Sequence, residues 1–425
     1  MEINEKKEKL AYLATDFIIN ERFDDLKNLM ENPDFDVNYQ VETHMTWGTV
    51  SLLVYAVRFK KFVAASMLFD CKNVHIDFKN LKAEMLLVEN TKDKSFRNFQ
   101  NKLWMKKEMD YNFDMIIPRL IDSFESLDID RTKNILKGIR ENCICMGTGG
   151  SASSSLFASK VLGETNKIIA VSKEPRDVLF MDLFHCWNYL LGFTYGNNNY
   201  GIDEAIKYAR EKKLAAHLIT ANSIFEDDVC YKGALPSEYS FISLASTVTP
   251  MAILLNYYLN HDKKMTLDLV SDLFFKAGNR NYNFEMDNEF PLFEIMSAED
   301  SYVASKVLES TIIEAGLGIP VVHEKYAYCH GRSTLSYHHG KSNLIYLVNG
   351  ENSNLDKKML TELRYMYQNI IILQSPSRDR IIGEFDLSLQ SLFLCKAIAE
   401  AEQKDLSRVE YAGVVKKLYP YNEGM

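Results

Sequence analysis

From Asn142 onward, short apolar runs alternate with stretches of helical period. CICMG, KIIAVS, YLLGFTY, AAHLITAN and FISLAS read as strands, and SSSLFASKVLG, GIDEAIKYAREKKL and VTPMAILLNYYLN as helices. After a helical segment, TLDLVSDLFFKAGNRNY, the alternation resumes. FEIMSA, PVVHEKY, NLIYLVNG and NIIILQS read as strands, and SYVASKVLESTIIEAG, LDKKMLTELRYMY and DLSLQSLFLCKAIAEAEQ as helices. Strands that alternate with helices need crossover connections, which give parallel sheets covered on both faces. The pattern predicts two similar α/β halves, each a doubly wound parallel sheet.

The first strand runs into NCICMGTGGSASSS, and the turn it makes opens a helix. Backbone amides and hydroxyls at such a turn, with the helix dipole behind them, suit an anion. No Lys follows the glycines, so the turn is not the phosphate loop of a nucleoside triphosphatase, and its spacing is not G-x-G-x-x-G.

Residues 1–110 read differently. EKLAYLATDFIINERFDDLKNLMEN and SLLVYAVRFKKFVAASMLFD are short amphipathic helices, followed by PDFDVNYQ and CKNVHIDFKN. Recurrence at roughly 40 residues predicts stacked helical repeats. VSLLVYAV stands where an ankyrin repeat begins its first helix, and FDVNYQ resembles the ankyrin D-V-N turn. A generic helical cap on the following domains is the competing reading. A charged stretch, ENTKDKSFRNFQNKLWMKKEMDY, leads into two amphipathic helices, MIIPRLIDSFESL and IDRTKNILKGIRE.

The chain of 425 residues has room for two or three domains. Its net charge of −9 argues against nucleic acid as a partner. No run approaches the roughly 20 apolar residues of a membrane span. The charged start, MEINEKKEK, lacks the apolar core of a signal peptide. Seven cysteines without a C-x-x-C pair fit reduced thiols in a cytoplasmic protein, with Cys143 and Cys145 packing in a strand. His338 and His339 lack ligands at metal spacing and read as loop histidines.

Four segments from about residue 113 to 425 resemble the tandem sugar isomerase (SIS) domains of phosphosugar enzymes, such as the isomerase half of glucosamine-6-phosphate synthase and the fructosamine-phosphate deglycases. They are the G-T-G-G-S turn, FTYGNNNYGIDEAI, LASTVTPMAILL and ESTIIEAGLGIPVVHEKYAYCHGRSTL. The last places a helix Glu sixteen residues before His-Gly. The resemblance implies the fold class: two SIS-type doubly wound, flavodoxin-like domains, residues 111–265 and 266–425, behind an all-α ankyrin-like region at 1–110.

It also implies an acyclic sugar phosphate or amino-sugar phosphate as ligand, with no metal or other cofactor, and a homodimer. Glu314 would be the base that moves a proton between C1 and C2, and His330 the ring-opening acid/base. Gly147, Thr148, Gly149, Ser151, Thr194, Tyr195, Gly196, Asn199, Ser246 and Thr247 would hold the ligand and its phosphate. The chain departs from the family at several points. The S-x-S-G-E-T turn is Thr194-Tyr195-Gly196-Asn197-Asn198-Asn199, which thins the hydroxyl cradle. The synthase's Lys three residues before the Glu is Thr311, and Cys329 precedes His-Gly. No glutaminase Cys opens the chain. Isomerase or deglycase chemistry therefore fits better than glucosamine-6-phosphate synthesis. The alternative is a sugar-phosphate sensor whose ankyrin-like front recruits a protein partner.

Overall fold

The computed structural model describes residues 2–43, 48–71, 73–89, 92–105, 108–180, 186–196, 200–222, 228–282, 291–339 and 342–408. The chain forms two compact units. One comprises Met1–Lys107 with Leu235–Tyr239, the other Glu108–Ala234 with Ser240–Met425.

The first unit holds α1 (Glu2–Ile19), α2 (Phe23–Met30), β1 (Gln40–Glu42), β2 (Thr49–Ser51), α3 (Leu52–Arg58), α4 (Phe62–Phe69), α5 (Phe78–Leu87) and α6 (Lys94–Met105). It is not all-helical as expected: β1 and β2 pair as an antiparallel hairpin, with Val41 and Val50 opposed and buried. The polar segment after α2 is too short and too rich in turn formers to make a further helix. Helix α3 packs on α1 and α5, and α4 on α2 and α6. Edge-to-face pairs Phe62–Phe96 and Phe69–Phe99 join α4 to α6. Asn38 links successive polar segments: its amide donates to the Asn73 carbonyl at 2.8 Å and accepts from the His75 amide at 2.6 Å.

The second unit opens with α7 (Glu108–Asp114), α8 (Ile116–Ser126) and α9 (Ile129–Gly138). Its first half contains β3 (Cys143–Met146), α10 (Gly150–Asn166), β4 (Ala170–Lys173), α11 (Pro175–Phe180), β5 (Tyr189–Thr194), α12 (Tyr200–Glu211), β6 (Ala215–Thr220), β7 (Val229–Cys230) and α13 (Ala245–Leu259). Helix α14 (Lys263–Gly278) follows. The second half contains β8 (Leu292–Ser297), α15 (Tyr302–Glu314), β9 (Ile319–Glu324), α16 (Ser333–His339), β10 (Asn343–Asn349), α17 (Asn354–Leu363), β11 (Asn369–Ser375) and α18 (Arg380–Ala401).

Both sheets are wholly parallel. The first runs β4-β3-β5-β6-β7 and the second β11-β10-β8-β9. In each, the chain starts in the middle, steps to one side, then returns and builds outward. That is doubly wound order, which opens a crevice where the direction reverses. All four residues of β3 and all six of β8 are buried, as strands covered on both faces must be. Asp128, Asp262 and Asp379 cap α9, α14 and α18 by accepting backbone amides, each worth about 1 kcal/mol.

FISLAS is not a strand. Ile242 and Leu244 are buried, so its alternation is real. Those side chains insert into the helical core, and the chain enters α13 at Ala245. The fifth place in the sheet goes to the two-residue β7. The expected boundary at residue 266 falls within α14, which packs on both α13 and α18. Helices α10, α13, α15 and α18 fill the middle of this unit in one continuous core, with Phe157 against Phe385. Helix α18 is buried nearly all round, as a helix without a solvent face must be. Among the described residues no helix is long and apolar enough to cross a membrane.

Candidate functional site

The turn after β3 is shaped by close approach. Gly149 has φ +57°, a conformation that favours glycine. Gly150 opens α10 where that helix lies on α13, and a Cβ there would overlap Ser243 and Thr247. Gly150→Ala should therefore cost about 1–3 kcal/mol by overpacking. Denaturant titration checks this, and an unchanged midpoint would contradict the close contact. Gly147 is buried beneath the turn, where a Cβ would meet the Ser151 carbonyl. The Ser151 amide bonds the Thr148 carbonyl and the Ala152 amide the Gly149 carbonyl, the short bonds of a helix's first turn.

Helix α15 packs on α10 and ends at Glu314. The Glu314 carboxylate faces the turn: a Cβ on Gly149 would lie 3.9 Å from its Oε1. Ser310, one helical turn earlier, donates to the same oxygen at 2.6 Å. Burial pushes the Glu314 carboxyl above its ordinary range, and the Ser310 bond only partly offsets this. A half-buried carboxyl of raised pKa suits proton transfer near neutral pH.

Glu314 lines two adjoining recesses. The inner, small one includes Gly150, Ser153, Ser243, Thr247 and Ser310. The outer one, about 440 Å³, adds Gly149, Ser172, Glu174, Lys306 and Glu309. Ser172 and Glu174 lie at the end of β4, where the alternating pattern alone gave no reason to look. Lys306 sits two turns before Glu314 on the same helix face and pairs with Glu309 at 2.5 Å. It supplies a cation to the cleft, which Thr311 does not. Burial raises the Glu174 carboxyl, against a hydrogen bond from Thr148. Thr148 itself is exposed.

Thr194, Tyr195, Gly196, Ser246 and His330 line neither recess. Thr194 is buried at the end of β5 and donates to the Gly196 carbonyl at 2.8 Å, so its hydroxyl serves its own turn. Tyr195 and Gly196 are half-buried, and Asn199 is outside the described residues. Ser246 is buried in the first turn of α13 but lines neither recess. His330 is exposed in a π-turn at Tyr328–Arg332, beside Gly331 at φ +102°, and lines neither recess either. Tyr328 and Ser336, which flank it, are held by a buried network. Glu294, in the middle of β8, accepts from Ser336, Ser342 and Tyr367 at 2.5, 2.7 and 3.0 Å and pairs with His323 at 2.9 Å. Among the described residues no three His, Cys, Asp or Glu side chains converge as a metal site needs. All seven cysteines are free thiols.

No family model matches the chain. No curated protein matches it in sequence. Solved structures do match its fold. A candidate phosphosugar isomerase from Clostridium difficile 630 superposes with TM-score 0.56 at 15% identity, over 74% of this chain and 98% of that one. One from Silicibacter pomeroyi DSS-3 gives 0.53 at 10% identity, over 71% and 99%. Tagatose-6-phosphate ketose/aldose isomerase from Escherichia coli gives 0.51 at 15% identity, over 72% and 96%. The chain is therefore similar in fold to these structures: mixed α/β with parallel sheets.

Proposed function

We propose that this chain binds a sugar phosphate or amino-sugar phosphate in its open form in the Glu314 cleft and moves a proton between C1 and C2. The observation that carries this reading is the Glu314 carboxylate, of raised pKa, facing the amide-rich turn at Gly149. Glu314 takes the proton from C2 of an aldose and returns it to C1 through the enediol, so one base serves both directions. The phosphate rests at the N-terminal end of α10, with Thr148, Ser151, Ser153 and Thr247 near the turn. Hydrolysis of a fructosamine-type linkage starts with the same proton transfer. The first unit is read as an ankyrin-like module for a protein partner, supported by its layered helices and the Asn38 link between successive segments. Detection of exchange at C2 of hexose 6-phosphates in deuterated water tests the chemistry. Binding without exchange, across aldose, ketose and fructosamine phosphates, would establish a sensor instead.

Ring opening falls to His330 of a second copy, because His330 lines neither recess of its own chain. Mixing Glu314→Gln with His330→Ala chains, each inactive alone, should then restore about a quarter of wild-type activity, since half the random dimers are mixed and each carries one intact site. No recovery on mixing would place both residues' work within one chain.

The charge of the cleft makes a second prediction. Glu174 and Glu314 oppose a phosphate dianion, and Lys306 is shared with Glu309. Glu174→Gln should tighten hexose-phosphate binding by about fivefold, on the order of 1 kcal/mol. Calorimetric Kd values for parent and variant at pH 8 decide the point, and weaker binding by the variant would count against a phosphate beside Glu174.

A further inference from the structure

The two sheets share one strand order, and the helices after their first strands, α10 and α15, pack on each other. The Glu314 cleft is built from the turn after the first strand of one half, the residues past its second strand, and the long helix of the other half. The same three pieces, exchanged between halves, build a second cleft. The turn after β8 supplies Glu299 and Asp300, the chain past β9 supplies Tyr326, and α10 supplies Lys160, Gly163 and Glu164. Arg380 and Glu384, from the first turns of α18, close it. Its volume, about 470 Å³, matches the 440 Å³ of the outer recess at Glu314. Near the end of α10, Glu164 takes the place that Glu314 has near the end of α15.

The chemistry of this second cleft is different. Two cations, Lys160 and Arg380, meet four carboxylates, Glu164, Glu299, Asp300 and Glu384. Lys160 is already shared between Glu299 at 3.7 Å and Glu384 at 3.4 Å. A phosphate dianion is therefore unwelcome. The Glu384 side chain is 1% exposed. Its Oε1 accepts from the Val303 amide and Lys160, whereas its Oε2 is buried and has no partner among the described residues. An unmet buried carboxylate oxygen is costly, and Glu384 is among the residues that line the cleft. Hydroxyl-bearing Tyr326 and the carboxylates on the opposite walls suit a ligand rich in hydroxyl donors.

We infer that this cleft is a second ligand site, for a small polyhydroxylated amine of the amino-sugar class without phosphate, whose ammonium pairs with Glu384. Burial pushes the Glu384 carboxyl up to about 7 against the pull of Lys160, and an ammonium in the cleft beside it would favour its charged form. The site stands on its own residues and does not depend on the reaction proposed at Glu314.

Calorimetric titration of the full chain with glucosamine, glucose and glucose 6-phosphate tests it. Glucosamine should bind, and glucose at least tenfold more weakly. Glu384→Gln should weaken glucosamine binding at least tenfold. Gly163→Phe tests the same site without touching the buried charge: a Cβ on Gly163 has only the Ile168 carbonyl near it, at 3.9 Å, so the ring fills the cleft from its wall. Glucosamine binding should be lost in this variant while its circular dichroism and melting stay those of the parent, and Glu314→Gln should leave it unchanged. Absence of glucosamine binding by the parent overturns the inference. So does binding that survives Gly163→Phe, or that disappears with Glu314→Gln, which would put the amine in the other cleft.

Discussion

Glu314→Gln is expected to lower proton exchange at C2 of the sugar phosphate by about 10²–10⁴-fold, the usual contribution of a positioned general base. The amide keeps the shape and still accepts from Ser310, so the dissociation constant should stay within a few-fold of the parent. That separation is the signature of a group acting in proton transfer. Because the folded-state pKa is raised, the base becomes ionised at a higher pH than an ordinary carboxylate. Exchange should accordingly fall as the pH drops through that raised value, at a higher pH than for a solvent-exposed carboxylate. Solvent-exchange NMR with hexose 6-phosphates at several pH values checks both statements. Retention of full exchange by the variant would remove Glu314 from the chemistry.

Glu294→Leu should have the largest effect on stability. Glu294 is fully buried and accepts from Ser336, Ser342 and Tyr367, with His323 at 2.9 Å. Deleting the carboxylate strands several buried donors, at a cost of about 3–5 kcal/mol. Unfolding should occur about 10 °C lower. Burial by itself would raise the Glu294 pKa, but hydrogen bonds from His323, Ser336, Ser342 and Tyr367 outweigh it and hold the carboxyl below its usual range. A depressed folded-state pKa gives stability that is present above the unfolded value, near 4.3, and lost as pH falls through the folded one. The parent should lose stability across this acid window, and Glu294→Leu should lose less of it. The same network tethers the segment that carries His330, through Tyr328 and Ser336. A variant that melts with the parent would show the network contributes little. Calorimetry at pH 7 and pH 3 provides both readings.

Much of the fold was legible along the chain because parallel strands buried on both faces are predominantly apolar, and a buried charge such as Glu294 needs its own hydrogen-bond network. CICM, LFEIMS and NLIYLVN announce themselves in that way. FISLAS failed the same test because alternation is also satisfied by a loop that drops Ile242 and Leu244 into a helical core. The two-residue β7 is too short to have a period at all. At the site, the glycine turn and the helix ending in Glu314 were visible as local patterns. Ser172, Glu174, Ser243 and Lys306 were not, since each is an ordinary residue until the fold brings it to the cleft.

The sequence by itself determined the alternation of elements, the place of the glycine turn and the identity of the one helix carboxylate that the resemblance singled out. Those are local properties, set by backbone freedom at glycine and by the period of apolar side chains. Only the tertiary structure decided that Glu314 faces Gly149, that His330 lines neither recess, and that Glu384, at the wall of a second cleft, has a buried oxygen unpaired among the described residues. Each of those depends on the packing of α10, α15 and α18 against one another, and burial in that packing is what moves the two carboxyls from ordinary acids toward neutrality.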